Sequence, residues 1–195
     1  MSELPQNATR ERIMDAAERL FMSRGYNAVK LRDIADAVGM KHASLYYYVP
    51  KGKDQLFAEV VRRSMRRNNE QMKRAIAAAG DNFYVQLYAV SDWIVSQPPI
   101  NLSRMSKADL PALPQEMARE LESLIMISLN EPVIDVLQRA LINGVASIDD
   151  IGMASMLLLT SLQGVHHVPD IHRGETRQVF GRKLVNMLLN GWLVR

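Results

Sequence analysis

Apolar residues recur at helical intervals through most of the chain, in blocks set apart by Gly and Pro. Ile13, Ala16, Ala17, Leu20 and Phe21 form one stripe. This predicts a first helix capped by Thr9 and closed at Gly25, with Tyr26 and Val29 sealing the edge of a small core. Ile34, Ala35 and Val38 mark a second helix of about two turns, after which Gly39 can take positive φ and let the chain reverse. A third short helix runs from about His42 to Tyr48 with Leu45 as its inward position, and Pro50-Lys51-Gly52 breaks it. Leu56, Phe57, Val60, Val61, Met65, Met72 and Ile76 then keep helical spacing from about Lys53 to Ala79, a span of about 40 Å at 1.5 Å per residue.

Beyond Gly80-Asp81 the pattern predicts a helix from Asn82 to Ser96, stopped by Pro98-Pro99, then a short polar segment, NLSRMSKAD, with Pro111 and Pro114 bracketing the next turn. A further helix covers about Gln115 to Asn143. Pro132 lies inside it and should kink or break it near Asn130. Ser147 is the expected cap of a helix reaching about Val165, with Asp149 and Asp150 in its first turn. A last helix is expected from about Glu175 to Leu193. No stretch reads as strand, so the fold class is all-α.

Ala35, Gly39 and Leu45 stand at the spacing a helix-turn-helix requires, with a small residue where the helices approach, a glycine in the turn and an aliphatic residue inside. The second helix of the pair then presents Lys41, His42, Ser44, Tyr46, Tyr47 and Tyr48 to phosphates and base edges, and Ala43 permits close approach. From Thr9 to about Val61 the chain resembles the DNA-binding domain of the tetracycline-repressor (TetR) family of transcriptional regulators. The resemblance is carried by Ile13, Ala16, Ala17, Leu20, Phe21, Gly25-Tyr26, Ile34-Ala35, Gly39, Leu45-Tyr46, Lys53 and Leu56. It departs from the family at Lys30 and Lys41, where Ser or Thr caps are usual, at Val49, often Phe, and at Tyr48, often His.

That resemblance implies an N-terminal arm and helix-turn-helix domain over residues 1–53 and a helical ligand-binding and dimerisation domain over 54–195. With the geometry of the motif, it puts Arg32, His42, Ala43, Ser44 and Tyr46 near bases, and Lys30, Lys41, Tyr47, Tyr48 and Lys53 on phosphates. It also implies a homodimer whose last two long helices pair with those of a second subunit. Both helices are apolar over more surface than one small body covers, through Ile151, Leu158, Leu162, Phe180, Leu184, Leu188 and Trp192. A ligand pocket rests mainly on the same resemblance, with Tyr84, Tyr88, Trp93, Met105, Met126 and Met156 as its candidates; methionines adapt to varied apolar surfaces.

Composition adds exclusions. The 195 residues are 48% hydrophobic and 23% charged, and contain no cysteine, so disulfides, thiolate catalysis and cysteine-bound zinc are out. The N-terminus lacks an apolar leader and no apolar run reaches the ~18 residues of a membrane span, which points to a soluble, cytoplasmic protein. The net charge of +3 is unevenly placed: residues 1–74 hold 15 Lys and Arg against 9 Asp and Glu, and the remainder 9 against 12. A basic end on a body of opposite sign suits contact with double-stranded DNA. Arg62, Arg63, Arg66 and Arg67 fit a solvated face better than a DNA contact, given Glu59 and Glu70 nearby.

His166, His167, Asp170 and His172 are the sole cluster resembling a metal or acid/base site, and no catalytic loop or metal motif accompanies them. The expectation is therefore a ligand-responsive repressor released from a palindromic operator, with no catalytic residues, metal or cofactor. Its rivals are a regulator of the same fold without a small-molecule inducer and, far behind, a metal-dependent enzyme using the 166–172 loop.

Overall fold

The structure, a computed structural model, describes residues 6–169 and 174–192, with side chains over 7–169 and 174–190. Its helices are α1 (Gln6–Arg24), α2 (Leu31–Ala37), α3 (His42–Tyr48), α4 (Gly52–Ala78), α5 (Phe83–Ser96), α6 (Leu102–Arg104), α7 (Gln115–Ile142), α8 (Ile151–Gly164) and α9 (Arg177–Trp192). A π turn (Met105–Asp109) and a 3-10 turn (Leu110–Ala112) continue α6, and a 3-10 turn (Val165–His167) follows α8. The fold is all-α, and among the described residues no helix is long and apolar enough to cross a membrane.

The chain groups into two compact units, residues up to 65 with 101–125, and 66–100 with residues from 126 on. The expected boundary at 53/54 falls in the first turn of α4 and does not follow this grouping. The reason is packing: Leu56, Phe57, Val60 and Val61 on α4 are buried, as are Phe21, Ile34 and Leu45 of the first three helices. In this first unit Phe57 meets Phe21 and Tyr26 edge-on, with ring centroids 5.1 Å apart in both pairs. The second unit is built around Met72, Leu87, Val90, Ile94, Val133, Leu137, Leu158, Leu162, Val185 and Leu189.

Four expectations are corrected. α1 begins at Gln6, so Thr9 lies inside it rather than capping it. The polar stretch after Pro99 is helical: the Asn101 side chain accepts the Arg104 N–H at 2.8 Å, and Met105, Leu110 and Leu113 are buried. α8 starts at Ile151, capped by Asp150, whose carboxylate accepts the Met153 N–H at 2.9 Å, instead of by Ser147. α7 stays one helix through Pro132. The carbonyl that a proline at 132 leaves without its helical donor is that of Ser128, and the Asn69 side chain on α4 donates to it at 2.9 Å.

Candidate nucleic-acid interface

The turn between α2 and α3 closes as the sequence requires. Gly39 takes φ +69°, the Met40 N–H donates to Ala35 O at 2.9 Å and the Gly39 N–H to Asp36 O at 3.1 Å, a Schellman closure that satisfies the end of α2. Ile34 and Ala35 are fully buried on α2, and Leu45 is fully buried on α3. Those contacts turn the opposite side of α3 outward. His42, Ala43, Ser44, Tyr46 and Tyr47 are exposed, and Tyr48 is half-buried. The His42 and Tyr46 rings meet edge-on at 5.1 Å, as do Tyr47 and Tyr48.

Around this face the cations differ in what they do. Lys30 and Lys41, the residues preceding α2 and α3, are exposed; neither side chain caps its helix through the usual hydroxyl, and the Lys30 N–H is instead taken by the Asp33 carboxylate at 2.8 Å. Arg32 is exposed and only loosely paired with Asp36, at 3.9 Å. Lys51, passed over in the sequence except as part of a helix-breaking turn, is also exposed and borders a cleft of about 450 Å³ with Arg10, Tyr47 and Tyr48. Lys53 faces inward: its ammonium donates to Tyr26 O and Val29 O at 3.1 Å each and lies 3.9 Å from the centre of the Tyr26 ring. That geometry assigns Lys53 to holding the α1–α2 loop, in place of the phosphate contact expected of it.

The same loop is gripped from its other side by residues absent from every sequence expectation. Arg104 donates to Phe21 O, Met22 O and Ser23 O at 3.2, 2.6 and 3.2 Å, covering carbonyls at the C-terminus of α1. Asp109, 2% exposed, accepts the Tyr26 N–H at 2.9 Å and pairs with Arg104 at 3.2 Å. Gly25 permits this approach, since a Cβ there would lie 2.9 Å from the Asp109 carboxylate, at φ +85°. The Tyr26 hydroxyl donates to Asp54 on α4, and burial together with that carboxylate pushes its pKa up. On α4, Arg63 binds Glu11, Asp15 and Glu18 of α1, and Arg62 makes a two-pronged pair with Glu120. These two arginines therefore brace helices.

The six ligand candidates fall in both units. Met105 is buried in the first unit, whereas Met126 and Met156 are exposed at 45% and 48%. Tyr88 donates to Asn186, Trp93 packs at the edge of the second unit's core, and Tyr84 lines a cleft of about 350 Å³ with Phe83, Gln86, Val136, Arg139 and Val145. Of the dimer candidates, Leu158 and Leu162 are fully buried within the chain's own core, where their helix faces α5 and α9. Ile151, Phe180, Leu184 and Leu188 are half-buried, and the Trp192 side chain lies outside the described residues. The outward stripe of α8 is instead Met153, Met156 and Leu157, and on α9 Met187 is 71% exposed. In the histidine loop, the His166 Nε2 faces Ile94 O at 3.3 Å and burial lowers the pKa of the ring; Asp170 and His172 lie outside the described residues.

With α1 and α4 closing over a turn of this geometry, the first unit holds a helix-turn-helix domain. Residues 13–60 match the family model of bacterial regulatory proteins of the tetR family, and over this stretch the chain is similar to that family. The HTH-type transcriptional regulator LmrA of Bacillus subtilis (strain 168) is 45% identical over 53 residues, 27% of this chain and 28% of that protein. The HTH-type transcriptional repressor KstR2 of Mycolicibacterium smegmatis is 40% identical over 53 residues, covering 27% of this chain and 25% of its own. The matched stretch thus spans about a quarter of the length of these curated relatives. A transcriptional regulator from Saccharomonospora viridis, solved in complex with choline, superposes with a TM-score of 0.75 at 18% identity, over 97% of this chain and 100% of that one, which extends the likeness of fold beyond the N-terminal domain.

Proposed function

We propose that the chain is a homodimeric, cytoplasmic DNA-binding transcriptional regulator, a repressor that binds a palindromic operator and leaves it when a small, largely apolar ligand occupies the C-terminal domain. The observation that carries the reading is the outward face of α3, held clear of the core by Leu45 and flanked by the exposed Lys30, Arg32, Lys41 and Lys51. His42, Ala43, Ser44 and Tyr46 take the base edges, while Lys30, Lys41, Tyr47, Tyr48 and Lys51 take phosphates. Repression is supported by the name of KstR2. Dimerisation is supported by the outward apolar stripe of Met153, Met156 and Leu157 on α8 and by the exposed Met187 on α9. Two reading heads one DNA turn apart multiply affinity for an inverted repeat.

The small ligand finds its support in the cleft beside Tyr84 and in the choline held by the Saccharomonospora viridis regulator. By linkage, a compound that favours the form with misplaced heads lowers operator affinity by the factor by which operator lowers its own. A second reading, a regulator of the same fold without an inducer, is favoured by the exposure of Met126 and Met156 and by the Tyr88–Asn186 hydrogen bond, which leave three of the six ligand candidates outside any cavity described above. Selection of bound sequences from random duplex DNA at near-physiological salt tests the core of the proposal. Enrichment of an inverted repeat is expected; binding that is salt-sensitive and blind to sequence overturns it.

A further inference from the structure

Resting on that reading, the chemistry of α3 says which feature of the operator it recognises. His42, Ala43, Tyr46 and Tyr47 stand at i, i+1, i+4 and i+5, one helical face, and all four are exposed, Tyr46 at 49%. Neither this face nor Ser44 on its flank holds a guanidinium, a carboxamide or a carboxylate. The groups that read guanine and adenine by paired hydrogen bonds, and the carboxylate that accepts from the cytosine amino group, are therefore absent from the centre of the recognition surface. Arg32 lies on α2 and Lys41 at the start of α3, outside this face. What the centre offers is the Ala43 methyl and the Tyr46 ring, the latter fixed edge-on against His42 at 5.1 Å. On the major-groove edges of the four base pairs the one apolar group is the C5-methyl of thymine.

We infer that α3 selects its operator chiefly through thymine methyls packed against Ala43 and the Tyr46 ring, so that A·T pairs occupy the middle of each half-site. His42, whose ring nitrogens can donate to or accept from a base edge, then sets the neighbouring position.

The probe is the duplex enriched by selection from random DNA, resynthesised with deoxyuridine for one thymidine at a time. Uracil keeps the pairing and the O4 acceptor and removes only the methyl. Affinity is expected to fall about fourfold at one or two positions per half-site, the worth of one small apolar group leaving water. In Ala43→Ser, and separately in Tyr46→Ala, thymine and uracil should become nearly equal at those positions. Both sites are exposed, so the fold is retained, and unchanged helical circular dichroism verifies it. If uracil matched thymine at every position while the selected duplex was still preferred over a scrambled one, the methyl reading would be wrong and the regulator reading would stand. If no sequence were enriched at all, the regulator reading would fail and this inference with it.

Discussion

Asp109 governs how the α1–α2 loop is held. Its carboxylate, 2% exposed, carries both the Tyr26 N–H and the Arg104 guanidinium, so its removal leaves a buried donor without an acceptor and a part-buried cation without its counter-charge. Asp109→Ala should lower stability by about 2–4 kcal/mol, and Asp109→Asn by less because its amide oxygen still accepts from Tyr26. Urea unfolding with an unchanged slope reads the difference. If Asp109→Ala unfolded at the same midpoint as the parent, the clamp would contribute nothing. This residue was not legible in the sequence: NLSRMSKAD is polar by count, and only Met105 and the later Leu110 and Leu113 mark the buried side of its helical turns. Gly25 was legible as the end of α1. Its second use, admitting the Asp109 carboxylate, depends on a contact from 84 residues further along the chain.

At the scale of elements, α7 shows what a periodicity reading leaves out. A proline predicts a fault in the helix, yet the fault is absorbed by Asn69, which reaches across from α4 to the Ser128 carbonyl and to the Glu131 carboxylate at 3.0 Å. Asn69→Ala should cost about 1–3 kcal/mol by stranding that carbonyl. Pro132→Ala restores the backbone donor and should remove most of the penalty, so the two substitutions are strongly non-additive in a double-mutant cycle. Additive costs would show that Asn69 acts elsewhere. The helix-turn-helix, by contrast, was legible to the residue, because Ala35, Gly39 and Leu45 act through local sterics and a turn geometry that three residues determine. Helix starts were read less well, since competing caps such as Ser147 and Asp150 differ only in which one the backbone finally meets.

For the molecule as a whole, charge asymmetry and helical layout were visible in the chain, while the outward face of α8 was not. Leu158 and Leu162 belong to the same helix as Met153, Met156 and Leu157, and composition does not tell a helix apolar all round which side it keeps for itself. The proposed dimer predicts that Met156→Glu combined with Met187→Glu halves the mass seen by light scattering without loss of helicity. Operator affinity should fall by roughly a hundredfold or more as the two heads cease to bind together. A double variant that kept both mass and affinity would place the interface elsewhere.

The inward turn of Lys53 has a chemical consequence. An amine already donating to two carbonyls and capped by an aromatic ring is a poor nucleophile toward acylating reagents, whereas Lys30, Lys41 and Lys51 stand open to them. Mass-spectrometric footprinting should find those three labelled quickly in the bare protein and shielded by operator DNA, with Lys53 slow in both. Acetylation forced onto Lys53 would therefore weaken the proposed DNA binding from within, by freeing the loop behind α3, and leave the exposed amines of Lys30, Lys41 and Lys51 intact.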